Sequence, residues 1–332
     1  MTDSRNELRR TLLRAGAGLA LSPLSSLLAH AAGDAWPTAP LRLVVGYPPG
    51  GGSDVMAREI GVPLARLLGQ PVVVDNKPGA SSALAAADVA RAAPNGYSLG
   101  LLDNAPLTIV PSLRNPGYDP LTGFTPIAMV SQAPQVLIAA PTLPANNARE
   151  LIDLLKKQPG KLNYGSGGSG SVSHLAAELL KMRSQTYAVH VPYRGGAPMV
   201  TALMSGEVHF GFLTYTGTAG FIRSGHIKAL GVTSTARLAS LPDVPTIAES
   251  ALPGFDAPGW YALMGPAGLP TAIVAQLQRA LREAMESPPV AARMASLGQT
   301  VATGKVDVQQ TIAAELKQWK QLISDRKIVV EG

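Results

Sequence analysis

"GYPPGGGSDVMAR", residues 46–58, follows the short apolar run "LRLVV" and leads into a segment with helical spacing. Two prolines and three consecutive glycines between a strand and a helix are costly to order. Glycine lets a backbone approach a ligand without Cβ obstruction, and the helix that follows presents unpaired N–H groups at the positive end of its dipole. A small anion suits such a loop. A plain turn with Ser53 as a cap would need fewer glycines.

Outward from this stretch, "SDVMAREIGVPLARLLG" reads as a helix with Ser53 or Asp54 at its cap, "PVVVDNK" as the next strand and "ASSALAAADVARAA" as a second helix. "GYSLGLLDN" follows as a third strand after the turn "APNG". This order is that of an α/β fold with parallel strands and right-handed crossovers. A second run of the same kind starts near Val136: strands "QVLIAA", "KLNYGS", "YAVHVPY" and "VHFGFLT" alternate with helices "ANNARELIDLLKKQ", "VSHLAAELLKMRS" and "APMVTALMSG". Between the runs, "LRNPGYDPLTGFTPIAMV" carries few regular signals, and a second irregular stretch, "LPDVPTIAESALPGFDAPG", precedes "WYALMGP" and two C-terminal helices. The last part is expected to return to the first unit. Residues 36–135 with 256–332 then form lobe 1, residues 136–255 form lobe 2, and two segments cross between them.

Composition agrees with two domains of ordinary size: 332 residues, 46% hydrophobic, 15% charged, with 34 Gly and 28 Pro that imply many tight turns. The first 31 residues read as a signal peptide, with four arginines in "RNELRRTLLR", the apolar "AGAGLALSPLSSLLA", and small residues Ala29 and Ala31 for cleavage. Arg9 and Arg10 are compatible with twin-arginine export, although Leu8 replaces the polar residue that precedes the pair in its fullest form. The formal charge of +6, less the +2 of this leader, leaves +4. That mild value, with no basic stripe bearing interleaved aromatics, argues against nucleic acid. No later segment is apolar enough to span a membrane, and the chain has no cysteine. The mature protein is expected to be soluble, periplasmic and monomeric.

Two further loops resemble the first in kind. "GSGGSG", residues 165–170, matches G-x-G-x-x-G between a strand and a helix, but no acidic residue ends the following strand, so a dinucleotide cofactor is not expected. A hydroxyl-rich cradle fits better, with Ser166, Ser169 and Ser171 and backbone N–H groups binding carboxylate oxygens. "VPYRGGAPMV" places Arg194, whose planar fork suits a carboxylate, before another helix. "GYSLG" fits G-x-S-x-G, the mark of an exported hydrolase, yet Ser98 falls inside a strand pattern rather than on a strand-turn-helix elbow. His174, His190, His209 and His226 show no metal spacing and read as structural, so no metal and no catalytic residue is expected.

These segments, with "LGQPVVVDNKPGASS", "AAPNGYSL", "VPYRGGAPMVTALMSGEVHFGF", "GHIKALGVTSTARLASLPDVPTIAES" and "GPAGLP", resemble the solute receptors of tripartite tricarboxylate transporters, the Bug or TctC-like proteins. The resemblance runs from about Arg42 to the C-terminal helix. It implies a two-lobed periplasmic binding protein fold of type II-like form, with two crossover strands at the hinge. It further implies closure on a small carboxylate, delivery to membrane permease subunits, and no enzymatic activity. The ligand-binding residues it implies are Tyr47, Gly50, Gly51, Ser53, Ser166, Ser169, Gly170 and Ser171, with Tyr193, Arg194, Gly195 and Thr214 bordering the same cleft. One departure stands out: Leu213 and Thr214 occupy the place of an Asp-Asn-like pair common in relatives. An acidic partner for a ligand amine would then be missing, which favours a carboxylate without an amine. A ligand sensor without a transport role is the remaining alternative.

Overall fold

The strand expected from "LRLVV" is β1 (Leu41–Val45), four of whose five residues are buried, as a strand covered on both faces requires. The computed structural model describes residues 36–257, 259–302 and 306–326; the expected signal peptide, residues 1–31, lies outside them. After β1 come α1 (Gly52–Leu68), β2 (Val72–Asn76), α2 (Ala83–Ala90) and β3 (Ser98–Asp103). A π-helical turn, Ala105–Ile109, then runs into the short α3 (Val110–Leu113). The chain continues through β4 (Phe124–Gln132) and β5 (Gln135–Ala139) into α4 (Ala148–Lys157), β6 (Asn163–Ser166), α5 (Val172–Ser184), β7 (Val189–Pro192) and α6 (Gly196–Ser205). Next are β8 (Phe210–Thr214), α7 (Tyr215–Arg223), β9 (Lys228–Val232), α8 (Ile247–Ser250) and β10 (Trp260–Pro266). The C-terminal part holds α9 (Thr271–Glu286), α10 (Pro288–Ser296), β11 (Thr300–Val301) and α11 (Val308–Arg326).

Two sheets result, in the order β11-β4-β10-β3-β1-β2 and β7-β6-β8-β5-β9. The expected parallel pairing holds for β1 with β2 and β3, and for β6 with β7 and β8. It fails for β5, antiparallel to β8 and β9, and the apolar segment "WYALMGP" forms β10, antiparallel to β3 and β4. The reason is topological: β5 and β10 enter their sheets from the other sheet, and so arrive in the opposite sense. β4 lies in the stretch that carries few regular signals. Pro126 sits inside it, yet it is a central strand; the ladder to β10 shifts register between Leu263 and Met264, where Pro126 pairs, the kind of irregularity that tolerates a residue without an N–H.

The chain passes between the sheets at residues 133–134 and again before Trp260. These two segments are held together, the amide of Ala133 donating to the carbonyl of Gly259 at 2.7 Å. Val44, Leu102, Ala262 and Met264 centre one apolar core with Val308, Ile312 and Leu316 of α11. Farther along the same helix, Trp319 and Leu322 join a core built around Leu137, Tyr164 and Phe210. Helix α11 packs chiefly on the π-helical turn, α3 and β4, and its Trp319 and Leu322 extend that packing into the second cluster.

Candidate functional site

Between the sheets lies a cavity of about 240 Å³. Four helix N-termini reach its wall: α1 at Gly51–Ser53, α5 at Ser171–Ser173, α6 at Gly195–Pro198 and α7 at Thr214 and Gly217. The first belongs to the six-stranded side and the other three to the five-stranded side. The N-cap of α1 is Gly51, not Ser53 or Asp54, and no side chain caps its amides. Gly195 and Thr214 likewise begin α6 and α7 without a side-chain cap bond. Bare first-turn N–H groups and four positive dipole ends thus face one space.

The glycines allow this convergence. A Cβ on Gly52 would stand 2.6 Å from Thr214 Oγ1 of the opposite side. Gly195, at φ +106°, would place a Cβ 3.3 Å from Pro48 Cδ, in a backbone region that L side chains rarely enter. Direct bonds join the two sides: Ser81 Oγ donates to the carbonyl of Ser169 at 2.7 Å, and Thr216 Oγ1 donates to the carbonyl of Leu297 at 2.8 Å. The lobes are closed on one another.

The first loop is tied to its own helix. The Gly50 amide donates to Asp54 Oδ2 at 2.9 Å, and Arg58 grips the same carboxylate through its Nε and Nη2. These donors hold the Asp54 carboxyl below its ordinary range, against a desolvation cost that is the largest single influence on it. Asn76 Nδ2 adds bonds to the Tyr47 carbonyl and to Asp54 Oδ1.

Residues not singled out in the sequence complete the floor. Asp103, at the end of β3, lines the cavity, and its Oδ2 accepts from Tyr47 Oη at 2.9 Å. Burial pushes the Asp103 carboxyl up to about 7, against the pull of the Tyr47 hydrogen bond. Burial, with the Asp103 charge behind it, raises the phenols of Tyr47 and Tyr261. Asn104, Trp260, Tyr261, Gln135 and Phe221 also line the space. Behind them Glu315 of α11 accepts from Trp260 Nε1 at 2.6 Å, Thr108 Oγ1 at 3.0 Å and Asn104 Nδ2 at 3.2 Å. The C-terminal helix thereby fixes two wall residues from outside.

Of the residues the sequence pointed to, Tyr47, Gly50, Gly51, Ser53, Ser171, Arg194, Gly195 and Thr214 line the cavity. Ser166, Ser169, Gly170 and Tyr193 do not. Ser166 is fully buried, its Oγ 2.6 Å from His190 Nε2 and 3.1 Å from the Gly168 carbonyl. Ser169 receives Ser81 through its carbonyl, the Gly170 amide donates to His174 Nδ1 at 3.1 Å, and Tyr193 turns outward to Glu207. These four brace the loop instead of facing the space. Beneath them the rings of His174 and His190 stack at 4.0 Å between centroids, with Tyr164 beside both. Burial takes His174 down to about 4 and His190 down to about 3, the second helped by its neighbour. Ser98, the residue of the hydrolase motif, sits at the far end of β3, where its Oγ accepts from Arg42 Nε at 3.3 Å.

A family model described as the tripartite tricarboxylate transporter family receptor matches residues 56–328. A UPF0065 protein of Bordetella pertussis is 40% identical over 278 residues, which cover 84% of this chain and 85% of that relative. The solved structure of the periplasmic binding protein BugD aligns with a TM-score of 0.84 at 34% identity, covering 89% of this chain and 100% of that one. A protein of R. palustris solved with adipate gives 0.85 at 32% identity, covering 89% and 100%. The two mixed sheets are those of a two-domain periplasmic binding protein. The chain belongs to the tripartite tricarboxylate transporter receptor family.

Proposed function

We propose that this protein is an extracytoplasmic receptor that captures a small organic carboxylate between its lobes and presents the closed form to the permease subunits of a tripartite tricarboxylate transporter. One observation carries the reading: four helix N-termini, drawn from both sheets, border a single cavity. Each dipole end contributes up to about 1 kcal/mol to an anion beside it. Because the donors come from both sides, they act together only when the lobes are closed, so the ligand draws the population toward closure.

In this reading Tyr47, Gly50, Gly51, Ser53, Ser171, Arg194, Gly195 and Thr214 contact the solute, while Ser166, Ser169, Gly170 and Tyr193 support the loop around it. Lobe 1 is residues 36–135 with 256–332, lobe 2 is 136–255, and the paired crossing segments at Ala133 and Gly259 are the hinge. Residues 1–31 direct export to the periplasm and are removed. The receptor acts as a monomer. Among the described residues no helix is long and apolar enough to cross a membrane, and a two-lobed receptor needs none.

Mass spectrometry of small molecules released on denaturing the protein purified from its own host should recover a carboxylic acid. The same acid should raise the melting temperature, as mass action requires. A folded, ligand-free preparation that no acid from a panel of mono-, di- and aromatic carboxylates stabilises would remove this reading.

A further inference from the structure

Leu213 and Thr214, on the five-stranded side, offer the cavity no charge, but the opposite wall does. Asp103 projects from the end of β3 at the entrance to the π-helical turn Ala105–Ile109, a rare helix type that gathers at functional sites. An ionised carboxylate accepts about four hydrogen bonds. Asp103 has one side-chain donor among the described residues, Tyr47 Oη on Oδ2; its Oδ1 is covered by protein and makes no hydrogen bond there, so a solute meets the carboxylate at the half-buried face that lines the cavity. Tyr47 donates and so satisfies an acceptor; it does not call for a protonated Asp103. A buried carboxylate left in this condition is costly, and a donor bearing positive charge relieves the cost most.

The other charged residue bordering the cavity is Arg194, on the opposite lobe. Among the described residues, the remaining groups around Asp103 offer no compensating cation. Tyr47, Tyr118 and Tyr261 are held as neutral phenols by burial. Arg42 of β1 and Asp88 of α2 pair with each other at the far end of the sheet. Asp54 of α1 is taken up by Arg58, and Glu315 of α11 by its indole, hydroxyl and amide donors. The cavity is therefore polarised: bare helix N-termini and a guanidinium at some points of its wall, a lone carboxylate at another.

We propose that Asp103 determines the specificity of the cleft, and that the captured solute carries an ammonium group as well as a carboxylate. This rests on the receptor reading above and reverses the expectation drawn from Leu213 and Thr214: the acid for a ligand amine is present, supplied by the other lobe.

Isothermal calorimetry at pH 6 and pH 8.5 tests it with skeleton-matched pairs: succinate against 4-aminobutanoate, glutarate against 5-aminopentanoate, adipate against 6-aminohexanoate, and propionate against alanine. The amine should bind at least tenfold more tightly than its partner acid in the best pair. Its affinity should rise with pH and its binding should release a proton, because the ammonium holds Asp103 ionised. Asp103→Asn should abolish that preference and the proton release while leaving the diacid as tight or tighter. Thermal melts establish that the variant folds. A diacid that binds best, takes up a proton and favours pH 6 would overturn the proposal, since Asp103 would then be sharing a proton with a second carboxylate; an amine preference that survives Asp103→Asn would overturn it also. Either result leaves the receptor reading intact. If no compound of either kind binds, this inference falls, while the receptor reading stands or falls with the wider panel of mono-, di- and aromatic carboxylates.

Discussion

The loop after β1 and the loop after β6 are built to the same plan, strand to glycine-rich turn to helix N-terminus, yet they are held in place by different chemistry. The first is tied from its own helix: Asp54 takes the Gly50 amide and is itself clamped by Arg58. The second is propped from below by a buried pair of stacked imidazoles, His190 against Ser166 Oγ and His174 against the Gly170 amide. The Ser166 hydroxyl therefore serves the loop's own backbone and His190, and Ser169 is engaged through its carbonyl. The comparison teaches that a serine-rich loop can act as a scaffold while the bare glycine loop does the close approach.

The largest consequence of the difference is an acid sensitivity of the second loop that sets in near pH 6.5, well above the range in which the depressed Asp54 carboxyl of the first loop titrates. Both histidines have folded-state values below the 6.5 of a free imidazole. The unfolded chain therefore binds protons that the native state refuses, so stability falls as pH drops from about 6.5 toward about 3, by about 1.4 kcal/mol per unit of depression. Urea titrations over that range should show the fall, and His174→Gln with His190→Gln should flatten it. An unchanged slope would mean the pair does not carry the loop.

Next in size, Gly52→Ala inserts a methyl group where Thr214 Oγ1 closes to 2.6 Å of the Cβ position. Affinity for the captured solute should drop on the order of 100-fold, about 3 kcal/mol, with the melting temperature of the ligand-free protein little changed. Adding Thr214→Ala should restore most of it. Smaller again, Ser166→Ala leaves His190 without its 2.6 Å partner and should cost about 1–2 kcal/mol of stability. Binding in the folded protein should stay within about threefold, a difference of about 0.7 kcal/mol. Ser169→Ala marks the bottom of the scale: its bond to the other lobe runs through the backbone carbonyl, so calorimetry should find affinity unaltered. A large loss in Ser169→Ala would restore the hydroxyl cradle that the geometry sets aside.

Much of the fold can be read in the chain because its signals are local: the buried runs at β1 and β3, and the glycine loops that precede α1, α5 and α6. Strand β4 was hidden by Pro126, whose cost is absorbed by a register shift in a partner strand more than a hundred residues away. Helix α7 was hidden by the glycines of "YTGTAGFIR", which weaken helical propensity although tertiary contacts hold the segment helical. The site was half legible. Loops that present backbone announce themselves by glycine, but Asp103, Asn104 and Tyr261 look like ordinary strand-end residues, and only the pairing of β3 with β10 brings them to the same wall. Ser166 misled for the converse reason: a hydroxyl in a loop and a hydroxyl bonded to a buried imidazole are the same letter.

Nitrogen–proton correlation spectra recorded during titration with the acid recovered from the native protein address the central claim most directly. The amides of Gly52, Ser53, Ser173, Gly196 and Ala197 should move together and saturate at one concentration, while those of Ser98 and Glu207 stay where they are. Saturable binding that leaves the first-turn amides of α1 and α6 unmoved would show that the anion is held elsewhere, and that the converging helix ends are not what captures it.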